Sequence, residues 1–132
     1  MGVAYNLTCN HCTYKQNVFL GIGFRYVYVT DILEWYEDSV GKERIREFSK
    51  DESTKHVCYD GLYVCNECKF LLNAVYLHME SDSDSYTNSY DCPRCSTVMP
   101  SKPIDEEIEV VVLACPGCGN EKLTCQAYMD WD

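Results

Sequence analysis

Ile108-Glu109-Val110-Val111-Val112-Leu113-Ala114-Cys115-Pro116-Gly117-Cys118-Gly119 ends an alternating apolar run on two cysteines with two residues between them. Ile108, Val110, Val112 and Ala114 share one parity, as on a half-buried strand. Beyond the cysteines, Leu123, Cys125, Ala127 and Met129 alternate again. The stretch therefore reads strand–knuckle–strand, with two thiols at the bend.

The same unit recurs toward the N-terminus. Val3, Tyr5 and Leu7 alternate before Cys9 and Cys12, and Tyr14, Val18 and Leu20 lie beyond them. Residues 62–79 read strand–knuckle–strand around Cys65 and Cys68, although the mostly apolar 71–79 also admits a helix. Cys92-Pro93-Arg94-Cys95 is the remaining knuckle. A tight turn at this spacing turns both thiolates to one side, where they can share a tetrahedral ion, and two such turns close a four-cysteine shell. Eight candidate ligands follow: Cys9, Cys12, Cys65, Cys68, Cys92, Cys95, Cys115 and Cys118.

Spacing leaves the pairing of knuckles open. A sequential scheme joins Cys9 and Cys12 to Cys65 and Cys68, and Cys92 and Cys95 to Cys115 and Cys118. A nested scheme joins Cys65 and Cys68 to Cys92 and Cys95, leaving Cys9 and Cys12 for Cys115 and Cys118. Loop-closure entropy grows only with the logarithm of length and barely separates them. The sequential scheme is preferred. Disulfides or thioredoxin-like redox pairs are the rival chemistry, but redox pairs open a helix, and strand-like alternation surrounds these.

Between the first two knuckles a helical insertion is expected over about 31–50. Thr30-Asp31 resembles a helix start, with Glu34 completing a capping box. Ile32, Tyr36 and Val40 fall on one face, Gly41 is expected to end the helix, and a second short one over 42–49 turns Ile45 and Phe48 inward. Residues 24–29, aromatic and β-branched, read as a further strand or extended segment. The segment 80–91 is acidic and polar, cannot order itself alone, and reads as the boundary between a first half, 1–79, and a second half, 92–132. The expected fold class is small α+β, mostly β: two zinc-ribbon-like subdomains of short antiparallel strands with a helical insertion.

Ten cysteines in 132 residues suggest staples: one domain of this size can bury a useful apolar core, but two halves of about 60 residues would each need metal or disulfides. Residues 1–7 lack the basic and apolar regions of a secretory signal, and 70–79 and 110–114 are too short to cross a bilayer. The chain is therefore expected to be cytoplasmic, where regular Cys-x-x-Cys pairs mean metal more often than disulfides. The formal charge is −10; a zinc tetrathiolate carries −2, so two of them bring it to −14. Acidic neighbours interrupt the local basic residues Lys42, Arg44 and Arg46. A polyanion does not attract phosphate backbones, which disfavours nucleic acid as partner.

The leftover Cys58 and Cys125 read most simply as small buried hydrophobes, and His11, His56 and His78 as structural or exposed groups rather than ligands. Leu20-Gly21-Ile22-Gly23 reads as a turn, since it lacks the further residues of a phosphate-binding loop. No nucleophile motif stands out.

With its Cys9 and Cys12 knuckle, Leu20-Gly21-Ile22-Gly23, helical insert, three later knuckles and terminal Trp131-Asp132, the chain resembles a group of small bacterial proteins with several zinc-ribbon or rubredoxin-like knuckles. The resemblance implies metal ligands and little more. A glycine commonly follows the second cysteine of such knuckles, easing a left-handed residue. Gly119 does so, but Thr13, Lys69 and Ser96 occupy the equivalent places, so less regular turns are expected there. Cys115-Pro116-Gly117-Cys118-Gly119 also resembles the second knuckle of rubredoxin, which makes iron the rival metal. The expected function is a non-catalytic, zinc-binding interaction module with two zinc ions, not an enzyme. Its expected partner is another protein, anchored by Tyr86, Tyr90 or Trp131. The alternatives are a nucleic-acid-associated zinc ribbon and a rubredoxin-like iron or thiol redox protein.

Overall fold

Each knuckle in the computed structural model sits where an antiparallel pairing closes on itself; the structure describes residues 2–22, 26–105, 108, 112–119 and 122–131. Strands β1 (Gly2–Thr8) and β2 (Lys15–Gly21) pair from Gly2 opposite Gly21 to Thr8 opposite Lys15, so Cys9 and Cys12 fall in the connection. Strands β3 (Lys55–Val64) and β4 (Leu71–Glu80) pair throughout, ending at Val64 opposite Leu71, around Cys65 and Cys68. An isolated bridge between Asp91 and Val98 encloses Cys92 and Cys95. At the fourth knuckle the Leu123 N–H donates to the Leu113 carbonyl at 2.8 Å.

With β5 (Ser85–Thr87) and β6 (Thr124–Trp131), these strands form one six-stranded sheet in the order β5-β4-β3-β2-β1-β6, antiparallel throughout. The mostly β character and the helical insertion agree with the sequence. The sheet also joins segments on both sides of 80–91, because β6 pairs with β1 from Gly2 opposite Trp131 to Thr8 opposite Thr124. The β2–β3 seam carries a single paired position, Gly21 opposite Asp60. There the Asn73 side-chain amide, reaching from β4, acts as a piece of backbone. Its oxygen accepts from the Phe19 N–H and its nitrogen donates to the Phe19 and Gly61 carbonyls, each at 2.9 Å.

The insertion is two helices, α1 (Val29–Trp35) and α2 (Ser39–Ser49). The break falls at 36–38, not at Gly41 as expected. Asp38 supplies the reason: its carboxylate caps α2 by accepting from the Gly41 N–H at 2.8 Å. Gly41 is instead a buried contact, since a Cβ there would lie 2.3 Å from Cε2 of Tyr36. Val40, expected on the inner face, is 65% exposed because the break resets the helical phase. The expected capping box at Asp31 is absent: α1 starts two residues earlier, without a side-chain cap, and Asp31 lies in its first turn, where the dipole favours an acid. Residues 26–28 are not a strand, because their backbone bends into α1; 24 and 25 lie outside the described residues. Of the expected strand over 108–114, Ile108 is a buried turn residue and 112–114 are irregular, while 109–111 lie outside the described residues.

Ile32, Tyr36, Ile45 and Phe48 of the helices pack with Cys58, Leu77 and Met79 of the sheet. Tyr63, of opposite parity on β3, joins Cys65, Cys92 and Met99 in a second cluster. A third gathers Leu7, Val18, Leu62, Leu113 and Leu123 around Cys9 and Cys115. Two of the three cores therefore contain knuckle cysteines.

The acidic segment 80–91 is not a plain loop. Three of its residues form β5, with Met79 opposite Tyr86. Arg44 of α2 binds Asp84 at 2.7 Å and lies over the Tyr86 ring, so a cation on the helix organises what composition alone cannot. Asn88, 4% exposed, completes the attachment. Its oxygen accepts from the Leu77 N–H at 3.0 Å, and its nitrogen donates to the Tyr36 hydroxyl at 3.0 Å and the Val75 carbonyl at 2.9 Å. Asn88→Ala strands the Leu77 N–H in the core, and an orphaned buried donor and lost neutral hydrogen bonds together cost about 2–4 kcal/mol. Urea unfolding should show the midpoint falling at unchanged slope.

Candidate metal centres

The sheet order decides which knuckles meet. Because β1 lies between β2 and β6, the turn after β1 comes beside the turn that precedes β6. Cys9, Cys12, Cys115 and Cys118 form one group of four, with sulfurs within 4.8 Å of one another. The end of the β3–β4 hairpin meets the Asp91–Val98 knuckle, and Cys65, Cys68, Cys92 and Cys95 form the second group within the same limit. The pairing is thus nested. The preferred sequential scheme is wrong, for a reason spacing does not contain: strand neighbours, not loop lengths, bring the turns together.

Within the groups, the sulfurs of Cys9 and Cys118, and of Cys12 and Cys115, are 3.6 Å apart. Those of Cys65 and Cys95, and of Cys68 and Cys92, are 3.5 Å apart. A disulfide needs about 2.05 Å. Four sulfurs each about 2.3 Å from a central ion lie about 3.8 Å from one another. The spacing therefore fits a tetrahedral shell and excludes bonded pairs, and the two four-cysteine groups can hold two metal ions.

Backbone donors point at the sulfurs. The His11 N–H lies 3.4 Å from Cys9 Sγ, the Tyr14 N–H 3.4 Å from Cys12 Sγ, the Cys68 N–H 3.5 Å from Cys65 Sγ and the Gly117 N–H 3.3 Å from Cys115 Sγ. Such bonds offset thiolate charge and orient the ligand. In three knuckles a hydrogen bond from the residue after the second cysteine back to the first tightens the turn: Lys69 N–H to Cys65, Ser96 N–H to Cys92 and Gly119 N–H to Cys115. Gly119 takes φ 77°, the left-handed value that glycine adopts without strain. Lys69 and Ser96 take φ 65° and 66°, the only non-glycine residues with positive φ among those described. The expected irregularity at these two knuckles is not found; the metal-competent turn is made despite the side chain. Relieving a left-handed non-glycine residue is worth about 1–2 kcal/mol, less the extra freedom glycine has when unfolded. Lys69→Gly and Ser96→Gly should each stabilise the chain by about 0.5–1 kcal/mol, read as a raised midpoint of thermal unfolding.

Crowding four thiols divides them into easily ionised and reluctant members. Burial raises the Cys68 thiol, but the Arg94 guanidinium, the Phe70 N–H and the thiols of Cys92 and Cys95 outweigh it and bring it down to about 6. Its neighbour Cys92 is pushed up to about 11, chiefly by burial and against the N–H groups of Cys95 and Arg94. In the other group burial opposes ionisation of Cys115, yet the N–H groups of Cys118 and Gly117 and the nearby Cys12 and Cys9 bring it to about 7. The Tyr14 N–H favours the Cys12 thiolate, but burial and the neighbouring thiols win and push it up to about 12. Near neutral pH each group thus keeps protons that a divalent cation must displace.

The remaining candidates are members of neither group. Cys58 is buried beneath the helices, and burial together with Asp60 pushes its thiol up to about 12, the behaviour of an inert core residue. Cys125, half-buried, packs against the Cys9 and Cys115 core. His11 is exposed on its turn, the His56 ring meets the Tyr26 carbonyl at 3.1 Å, and the His78 ring meets the Thr87 hydroxyl at 2.6 Å. None of the three histidines belongs to either four-cysteine group.

Sequence reasoning missed Arg94. It stands between two cysteines of its own knuckle, donates to the carbonyls of Cys68 and, at 2.6 Å, Pro116, and lies over the Phe70 ring. The available signal was a lone cation enclosed by two expected thiolates. No helix among the described residues is long and apolar enough to cross a membrane. No family model, curated protein or solved structure matches this chain.

Proposed function

We propose that this chain is a zinc-binding, non-catalytic interaction module whose two four-cysteine centres are structural. The observation that carries the reading is the pair of four-thiol groups at the sulfur spacing of a tetrahedral shell. Four thiolates fill the shell, leave no position for water or substrate, and convert metal binding into folding free energy. Soft sulfur donors suit iron as well as zinc; zinc is preferred because it holds such a shell without redox chemistry. The partner is another protein, since a charge of −10 repels nucleic acid. Of the expected anchors, Tyr86 and Tyr90 are half-buried against the helical core and the Cys65 core. Tyr28 and Tyr128 are exposed tyrosines, and the Trp131 side chain lies outside the described residues.

X-ray absorption at the zinc edge tests the closed shell. Four sulfurs near about 2.3 Å with no oxygen or nitrogen neighbour are expected. A light-atom ligand at either centre would leave an open position and reopen catalysis, and signal at the iron edge instead would favour electron transfer.

A further inference from the structure

Resting on the proposed metal sites, we propose that Arg94 couples the two centres, so that filling one favours filling the other. Arg94 belongs to the group of Cys65, Cys68, Cys92 and Cys95 through its position between Cys92 and Cys95. Its guanidinium reaches from that group to the other. One arm donates to the Cys68 carbonyl and the other to the Pro116 carbonyl at 2.6 Å, inside the knuckle of Cys115 and Cys118. A single planar fork thus holds one turn from each centre, and the Phe70 ring fixes its plane.

The fork gives coupling a physical route. Pro116 lies between Cys115 and Cys118, so the turn that sets the two thiols side by side also sets its carbonyl. Cys68 is itself a candidate ligand of the other centre. A metal-closed turn on either side presents its carbonyl to the guanidinium, which then holds the second turn in the conformation that accepts its own ion. The cation also touches one turn of each shell, and each shell becomes −2 on filling, so it offsets part of the repulsion the second ion would otherwise add. Reciprocity follows: whichever centre fills first favours the other by the same factor.

The test is titration of the metal-free full chain with zinc, followed by native mass spectrometry, for the wild type, Arg94→Met and Arg94→Lys. Methionine keeps packing on Phe70 without the fork; lysine keeps the charge but cannot bind both carbonyls. In the wild type the one-zinc species at half-saturation should fall below the about one half that equal independent sites give. Both variants should reach two zinc ions at saturation with the coupling factor reduced by about tenfold, within the usual range of coupling between sites. An unchanged one-zinc fraction in both variants overturns the proposal. So does a variant that takes up no zinc at all, because Arg94 would then be needed for the sites and not for the link between them. A wild type that binds no zinc refutes the metal reading instead.

Discussion

Complete removal of metal by excess chelator should abolish the cooperative thermal transition of this chain. Apparent binding free energies of structural zinc are about 10–16 kcal/mol per site at neutral pH. Whole-domain stabilities are about 5–15 kcal/mol. Withdrawing two such ions therefore removes more free energy than the fold is expected to hold in reserve. The structure says where the loss is felt: Cys9 and Cys115 sit in one core and Cys65 and Cys92 in another, so neither centre is a surface ornament. Left without ions, sulfurs 3.5–3.6 Å apart cannot all ionise without repelling one another. Circular dichroism with and without chelator, alongside elemental analysis of the same sample, measures this. A chain with no residual metal and an unchanged melting curve would show that the centres are not structural.

The second large effect separates the two pairing schemes. Cys9→Ser with Cys115→Ser disables one group and should leave one tightly held zinc per chain. Cys9→Ser with Cys65→Ser disables one ligand in each group and should leave none. The sequential scheme expects the reverse. Loss of a direct ligand should weaken binding beyond the about 10- to 100-fold that outer-shell changes cost, so metal retained after gel filtration reads the outcome directly.

Acid should act in the same direction. In the metal-free chain the Cys68 and Cys115 thiols lie at about 6 and 7 against an ordinary 9.0, so the stability their ionised forms add to whatever native structure that chain keeps is present above about 9 and is lost as pH falls through those values. Cys12 and Cys92, raised instead, give up protons when metal binds. Zinc uptake at neutral pH should therefore release protons, visible as a buffer-dependent enthalpy in calorimetry, and zinc affinity should fall as pH falls, more steeply below about pH 7.

The candidate ligands were legible because a Cys-x-x-Cys turn is local: its chemistry is complete within four residues. Strands β1, β2 and β6 were legible for a similar reason, since alternation declares which residues share a face, whereas the mostly apolar β4 left strand and helix both open. The pairing of knuckles was not local. It depends on β6 lying beside β1, a contact that joins the chain's two ends and leaves no periodic signature. The helix break was missed because Gly41 has two readings, terminator and close contact, and only the position of the Tyr36 ring separates them. The segment 80–91 looked incapable of order because composition does not register the partners that order it, Arg44 on a helix and Asn88 beneath the sheet edge. Lys69 and Ser96 looked like poor knuckle residues because propensity favours glycine at positive φ, yet the tertiary structure holds both there.

The most direct measurement is native mass spectrometry of freshly purified protein together with elemental analysis. Two zinc ions per chain are expected, with all ten cysteines carrying the mass of unoxidised sulfur. A metal-free chain whose mass is lowered by hydrogen loss would mean disulfides, and would contradict both the centres and the fold energetics built on them.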